Sequence, residues 1–311
     1  MTPPNNLMRR LFLPFAAGYF LSYLYRTVNA VLGPVIAGEL ALPDNALGLL
    51  TSTYFLAFGA AQLPLGMLLD RFGPRRVEAA LLVVAAAGAA LFASADGLGG
   101  LTVGRALIGL GVSACLMASF KAFTQWFPPE RQASLTGWIM ASGGMGALAA
   151  SKPLELALGV TGWREIVLAL AALTLAVAAL IWRSVPERPA EAGGSGFAEQ
   201  LAGVREIFAS RHFWRYAPMG CFFTGGFMAV QGLWASRWMN VTEGLAAAAV
   251  ADRLTWMGLA MLGGFLFMGF FASTLVRRGV PLATLFRGAM LAAFAAFALI
   301  CSFPQAGGGL L

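Results

Sequence analysis

The chain is 311 residues long, 59% hydrophobic and only 11% charged, with a mean hydropathy of +0.75. A soluble domain carries roughly a quarter charged residues, so an ordinary globular enzyme is excluded. The net charge of +7 does not point to nucleic acid, because basic residues also gather in the cytoplasmic loops of membrane proteins; one histidine and three cysteines in apolar stretches leave no basis for a His metal site or a disulfide framework.

A bilayer core about 30 Å thick needs roughly 20 apolar residues per helix. That ruler predicts spans at 11–37, 46–69, 77–95, 99–122, 133–157, 165–183, 214–236, 254–276 and 282–303. The first follows Arg9-Arg10 and so has the start of a signal peptide. Against that reading, Arg26 interrupts the run and no small-x-small cleavage site follows. Between the sixth and seventh spans, residues 184–213 are polar and contain Gly193-Gly194-Ser195-Gly196, the composition of a flexible hinge between two bundles. Within that hinge Phe197, Leu201, Val204 and Phe208 recur at helical spacing, which predicts a short amphipathic helix on the membrane face. The expected organisation is a six-helix bundle over 1–183, a cytoplasmic linker over 184–213, and three helices of a second bundle over 214–311.

The cations sort to alternate loops. Arg9, Arg10, Arg71, Arg75, Arg76, Arg131, Arg183, Arg188, Arg205, Arg211, Arg215, Arg277 and Arg278 share one side, with only Arg164, Arg237 and Arg253 on the other. The positive-inside rule places the first side, and the N-terminus, in the cytoplasm, for a multi-pass protein of the plasma (inner) membrane.

Between the second and third spans stands Gly66-Met67-Leu68-Leu69-Asp70-Arg71-Phe72-Gly73-Pro74-Arg75-Arg76. A tight loop explains Gly73, and headgroup contact explains the arginines, but neither explains Asp70. The stretch resembles the signature loop of the major facilitator superfamily, G-x-L-x-D-R-x-G-x-R-R, at every fixed position. Arg105 with Gly109 and Gly111 resembles the family's R-x-x-x-G-x-G pattern in the fourth span. Gly137, Gly143, Gly144 and Gly146 are similar to its next motif without the Gly-Pro pair, and Gly162-Trp163-Arg164 also looks like the family. Gly269 and Arg277-Arg278 echo Gly66 and Arg75-Arg76, with Ser273 where the first copy has Asp70. The resemblance implies an all-α integral membrane protein of the two-bundle type, with a complete N-terminal six-helix bundle. It also implies about twelve spans, so nine read as a chain truncated within its second bundle. In such a fold Gly66, Asp70, Arg71, Gly73, Arg75, Arg76 and Arg105 form a gating latch that closes the inner side.

A charge at the bilayer centre costs about 2.5–3.5 kcal/mol on insertion scales and needs a reason to be there. Arg26 shares a helical face with Tyr19, Ser22, Tyr23, Asn29 and Gly33. Gln62 follows Tyr54 and Phe58, Lys152 lies on the face of Trp138 and Met145, and Gln231, Trp234 and Trp238 form an aromatic face in the seventh span. Arg26, Tyr23, Asn29, Gln62, Lys152, Gln231 and Trp234 are therefore the candidate substrate contacts. Arg26, Arg105 and Lys152 are the candidate buried cations, while Lys121 is expected to snorkel. Asp70, Glu78, Glu155 and Glu165 fall near span ends, leaving no deep carboxylate in any span. Such a cavity has a positive potential and favours an anion.

The function expected is a monomeric secondary transporter, not an enzyme, moving a small organic anion by alternating access without a cofactor. A coupling proton or ion has no deep acid to carry it. The alternatives are a multidrug or proton-coupled efflux pump and a non-transporting membrane sensor. His212 stands alone, so a metal site is not expected.

Overall fold

The computed structural model describes residues 5–43, 45–187, 197–229, 238–239, 243–244 and 247–280, with isolated positions between 284 and 298. These residues form helices and turns, with no strand among them. The helices are α1 Asn5–Thr27, α2 Asn29–Glu39, α3 Ala46–Ala93, α4 Leu98–Val112, α5 Cys115–Trp126, α6 Pro129–Ala149, α7 Lys152–Leu158, α8 Trp163–Ser184, α9 Phe197–Ala209, α10 Arg211–Ala229 and α11 Ala247–Arg277. The ninth expected span lies mostly outside the described residues.

Several spans differ from the lengths expected of them. The first divides at Val28 into α1 and α2, and the fourth divides at Ser113-Ala114 into α4 and α5. Spans two and three run as a single helix, α3, kinked at Gly73 with φ 79° and ψ 159°. That backbone geometry is open to glycine alone, and Pro74 after it demands an extended predecessor. The fifth span starts early, at Pro129, and ends at Ala149, before Lys152.

One compact unit comprises Met1–Gly194 with Phe265–Ser273, and a second comprises Ser195–Gly264 with Thr274–Leu311. In the first, α3 lies against α4 and α8, and α1 lies against α6. Lipid tails are as apolar as leucine, so close backbone approach must supply the packing energy. A Cβ placed on Gly111 would stand 2.3 Å from the Ala85 nitrogen, and one on Gly146 would stand 2.1 Å from the Phe20 carbonyl oxygen. Glycines at these positions allow α3 to seat on α4 and α1 on α6.

Leu13, Leu56, Leu63, Val83, Leu168 and Leu175 point outward. By length and composition Ala46–Ala93, Leu98–Trp126 and Trp163–Ser184 can each cross a membrane. An apolar exterior on long apolar helices is the surface a bilayer requires. In the second unit, the Trp214 indole donates to the Phe208 carbonyl at 2.7 Å and ties α9 to α10.

Candidate functional site

The split in the first span places a cluster at the end of α1. The Arg26 guanidinium lies 4.6 Å from the Tyr23 ring, 5.3 Å from Phe58 and 5.9 Å from Phe55, the last two on α3. Aromatic faces are negative, so a cation is held there without a counter-acid. No carboxylate pairs with Arg26 among the described residues, and its Nε has no hydrogen-bond partner. Tyr19 packs edge-on to Tyr23 at 5.1 Å and directs its hydroxyl to the Met140 sulfur on α6. Arg26 is neither turned into lipid nor locked against an acid.

Other polar residues on the stripe serve the helix breaks. A broken helix frees carbonyls that must find donors inside a membrane. At the α4–α5 break, Ser22 donates to the Val112 carbonyl at 3.3 Å and Gln62 donates to Ser113 at 3.4 Å. Gln62 also reaches the Phe58 carbonyl at 3.3 Å, so its amide nitrogen is occupied by structure. Asn29 donates to Thr51 at 3.0 Å, and its carbonyl oxygen is left unpaired. Beside it a small cavity lined by Tyr25, Asn29, Phe92 and Arg105 has room for about one water.

Arg105 is fully buried, as expected, but it does not join the signature loop. It donates to the Tyr25 carbonyl at 3.0 Å and sits between the Tyr54 and Phe92 rings, so it clamps the α1–α2 junction. The loop meets Lys121 instead, sixteen residues on and roughly 24 Å further by helical rise. There Lys121 pairs with Asp70, whose side chain is exposed. Arg75 stacks on Trp182 and lies 3.7 Å from Glu187, which Arg76 also pairs with; Arg71 lies over Phe72. A Cβ on Gly66 would meet nothing within 4 Å, whereas Gly73 makes the kink.

Two expectations about charge are overturned. Lys152 is exposed and pairs with Glu155 at 2.9 Å, because α6 stops at Ala149 and releases it from the span. Glu78 is deep after all, with no exposure and neither oxygen hydrogen-bonded. The signal that could have found it is a glutamate heading the apolar run Ala79–Ala90. At the opposite end of the unit Glu39 accepts from Trp163 at 2.7 Å and from Arg164, which also reaches the Ala95 carbonyl and lies 3.5 Å from Asp96. The Arg164 and Trp163 donors hold the Glu39 carboxyl below the usual carboxylate range. Gln231 and Trp234 lie outside the described residues, and Trp238 is described only as a helical, half-buried residue.

The Major Facilitator Superfamily family model matches residues 15–311. The chain belongs to this superfamily. Among major facilitator relatives it is 27% identical over 157 residues to a probable sulfoacetate transporter, SauU, of Cupriavidus necator, covering 50% of this chain and 36% of that one. It is 26% identical over 216 residues to the hexuronate transporter of Escherichia coli, covering 64% and 50%. It is 30% identical over 247 residues to the chloramphenicol resistance protein of Pseudomonas aeruginosa, covering 76% and 56%. The chain thus spans about half the length, or less, of the first two of these major facilitator proteins. The human organic anion transporter MFSD10 has the same fold, with a TM-score of 0.61 at 19% identity over 88% of this chain and 73% of that one. The protein is accordingly an all-helical, multi-pass membrane protein of a transporter superfamily.

Proposed function

We propose that this protein is a monomeric secondary transporter that moves a small organic anion by alternating access, the bundles over 1–183 and 214–311 rocking about the linker 184–213. The observation that carries the substrate class is Arg26, a guanidinium held by three aromatic rings with no acid among the described residues to neutralise it. A carboxylate or sulfonate would supply the missing charge and accept from the free Nε. The sulfoacetate and hexuronate relatives, both named for organic anions, support the reading.

In this scheme Tyr23 and Arg26 touch substrate and Asn29 borders the path. Asp70, Arg71, Arg75 and Arg76 latch the cytoplasmic side of a plasma-membrane protein whose N-terminus is cytoplasmic. Arg105 supports α1 from behind. The test is uptake of labelled D-galacturonate and sulfoacetate, with galactose as neutral control, into proteoliposomes containing the chain. Uptake of the acids alone, lost in Arg26→Ala, is the expected result; equal uptake by Arg26→Ala overturns it. A second reading, drug export, is favoured by the chloramphenicol resistance relative. Chloramphenicol flux that survives Arg26→Ala would establish it over the first.

A further inference from the structure

Tyr54 is buried and has no part in the substrate reading, yet the elements around Arg26 converge on it. On α3 its ring lies edge-on to Phe55 at 5.2 Å and stacks on Phe58 at 6.2 Å, with the planes 24° apart. Those are the two α3 rings that hold the Arg26 guanidinium. Its hydroxyl donates at 3.4 Å to the Ser22 carbonyl on α1, one helical turn before Arg26. From α4, a Cβ on Gly109 would stand 2.3 Å from the Tyr54 carbonyl oxygen, so glycine is what lets the two backbones meet here. Arg105, one turn before Gly109, lies over the Tyr54 ring at 5.8 Å.

Tyr54 and Phe58 therefore form a two-ring stack with a guanidinium over each ring. Neither guanidinium pairs with a carboxylate among the described residues. Aromatic faces are negative, so each cation is held by a ring instead of an acid. Stacked and edge-on contacts also fix the tilt of one ring against the next. A leucine at position 54 could fill the volume, but it offers neither a negative face nor a plane. Phe55 and Phe58 would keep their places on α3 and lose the surface that orients them.

We propose that Tyr54 is a positioning residue of the anion site: it sets the tilt of Phe55 and Phe58, and through them the direction in which Arg26 presents its guanidinium. The effect on anion binding rests on the anion reading above; the effect on Arg26 itself does not. Because Arg105 and Gly109 seat Tyr54, the arginine and glycine of α4 act on Arg26 through this one side chain without touching the anion.

The 311-residue chain in lipid nanodiscs, carrying isotope-labelled arginine, provides the first measurement. Ring currents displace the magnetic resonance of the Arg26 Nε–H, which is identified by its loss from Arg26→Lys. Tyr54→Leu should return that resonance toward those of exposed arginines, while Tyr54→Phe, which keeps the ring, leaves it in place. A resonance unmoved in Tyr54→Leu, or moved as far in Tyr54→Phe, overturns the proposal. Should Tyr54→Leu not fold, Tyr54→Met, unbranched and adaptable, takes its place under the same two outcomes. The second measurement is the Kd for D-galacturonate, by titration of the reconstituted protein. Loss of the aligned rings should weaken it about fivefold in Tyr54→Leu and leave Tyr54→Phe near wild type. Arg26→Lys no longer stacks on those rings, so adding Tyr54→Leu to it should cost almost nothing further. A merely structural role would weaken binding about fivefold again, because independent effects add. That additive result, or an unchanged Kd in Tyr54→Leu, overturns the role in binding. If wild type binds no D-galacturonate, the anion reading fails, while the Arg26 resonance still decides what Tyr54 does.

Discussion

Arg164 binds the Ala95 carbonyl, pairs with Glu39 and approaches Asp96, while its guanidinium lies 4.3 Å from the Trp163 ring. The clasp joins α2, the α3–α4 turn and the start of α8 at one point. Because the folded-state value for Glu39 is lowered, its contribution is complete above the ordinary carboxylate range, about 4, and is lost as pH falls through the folded value. Melting of the detergent-solubilised protein should therefore show wild type above Glu39→Gln at neutral pH, with the two converging in acid. A gap that stays constant into acid would show that the clasp does not titrate. At Arg26, shape matters as well as charge. Arg26→Lys keeps the charge but gives up the flat face that stacks on Tyr23 and Phe58. A loss of about 1 kcal/mol corresponds to a roughly fivefold weaker Kd for D-galacturonate, measurable by titration of the reconstituted protein. Unchanged affinity would mean that Arg26 acts as a point charge only.

The helices themselves show which features a sequence can announce. Gly73 and Arg26 could be read directly, since a turn glycine and a charge in an apolar run have purely local meaning. The depth of Glu78 and Lys152 could not, because depth depends on how far the neighbouring helices extend. Glu78 is covered where α1 brings Gly18 against it, and Lys152 is bare because α6 ends three residues earlier. The breaks at Val28 and Ser113 were equally hidden, as the side chains that sustain the second, Ser22 and Gln62, come from other spans. The two glycines of the signature loop make the same distinction testable. Gly73→Ala forces an alanine to φ 79°, which should cost about 1–3 kcal/mol and lower the melting temperature. Gly66→Ala adds a methyl to open space within a helix and should leave it unchanged or raise it slightly. Equal losses at both positions would place the constraint in something other than the kink.

For the molecule as a whole, the two ends of the first unit differ in charge. One end carries Asp70, Arg71, Arg75, Arg76, Lys121, Arg131 and Arg183, and the other carries Glu39, Asp96 and Arg164. Lys and Arg in short loops resist translocation whereas acids contribute little, so the excess of cations sets the orientation. On that rule the Asp70 end is expected to face the cytoplasm. Alkaline phosphatase, active only after export, reads this directly when fused at successive loops. Fusion after Ala95, between α3 and α4, should be active, and fusion after Pro128, between α5 and α6, inactive. The opposite pattern would turn the protein over, putting the Arg164 clasp on the cytoplasmic side and the loop that carries Asp70, Arg75 and Arg76 on the outer face, where it could not latch the inner side.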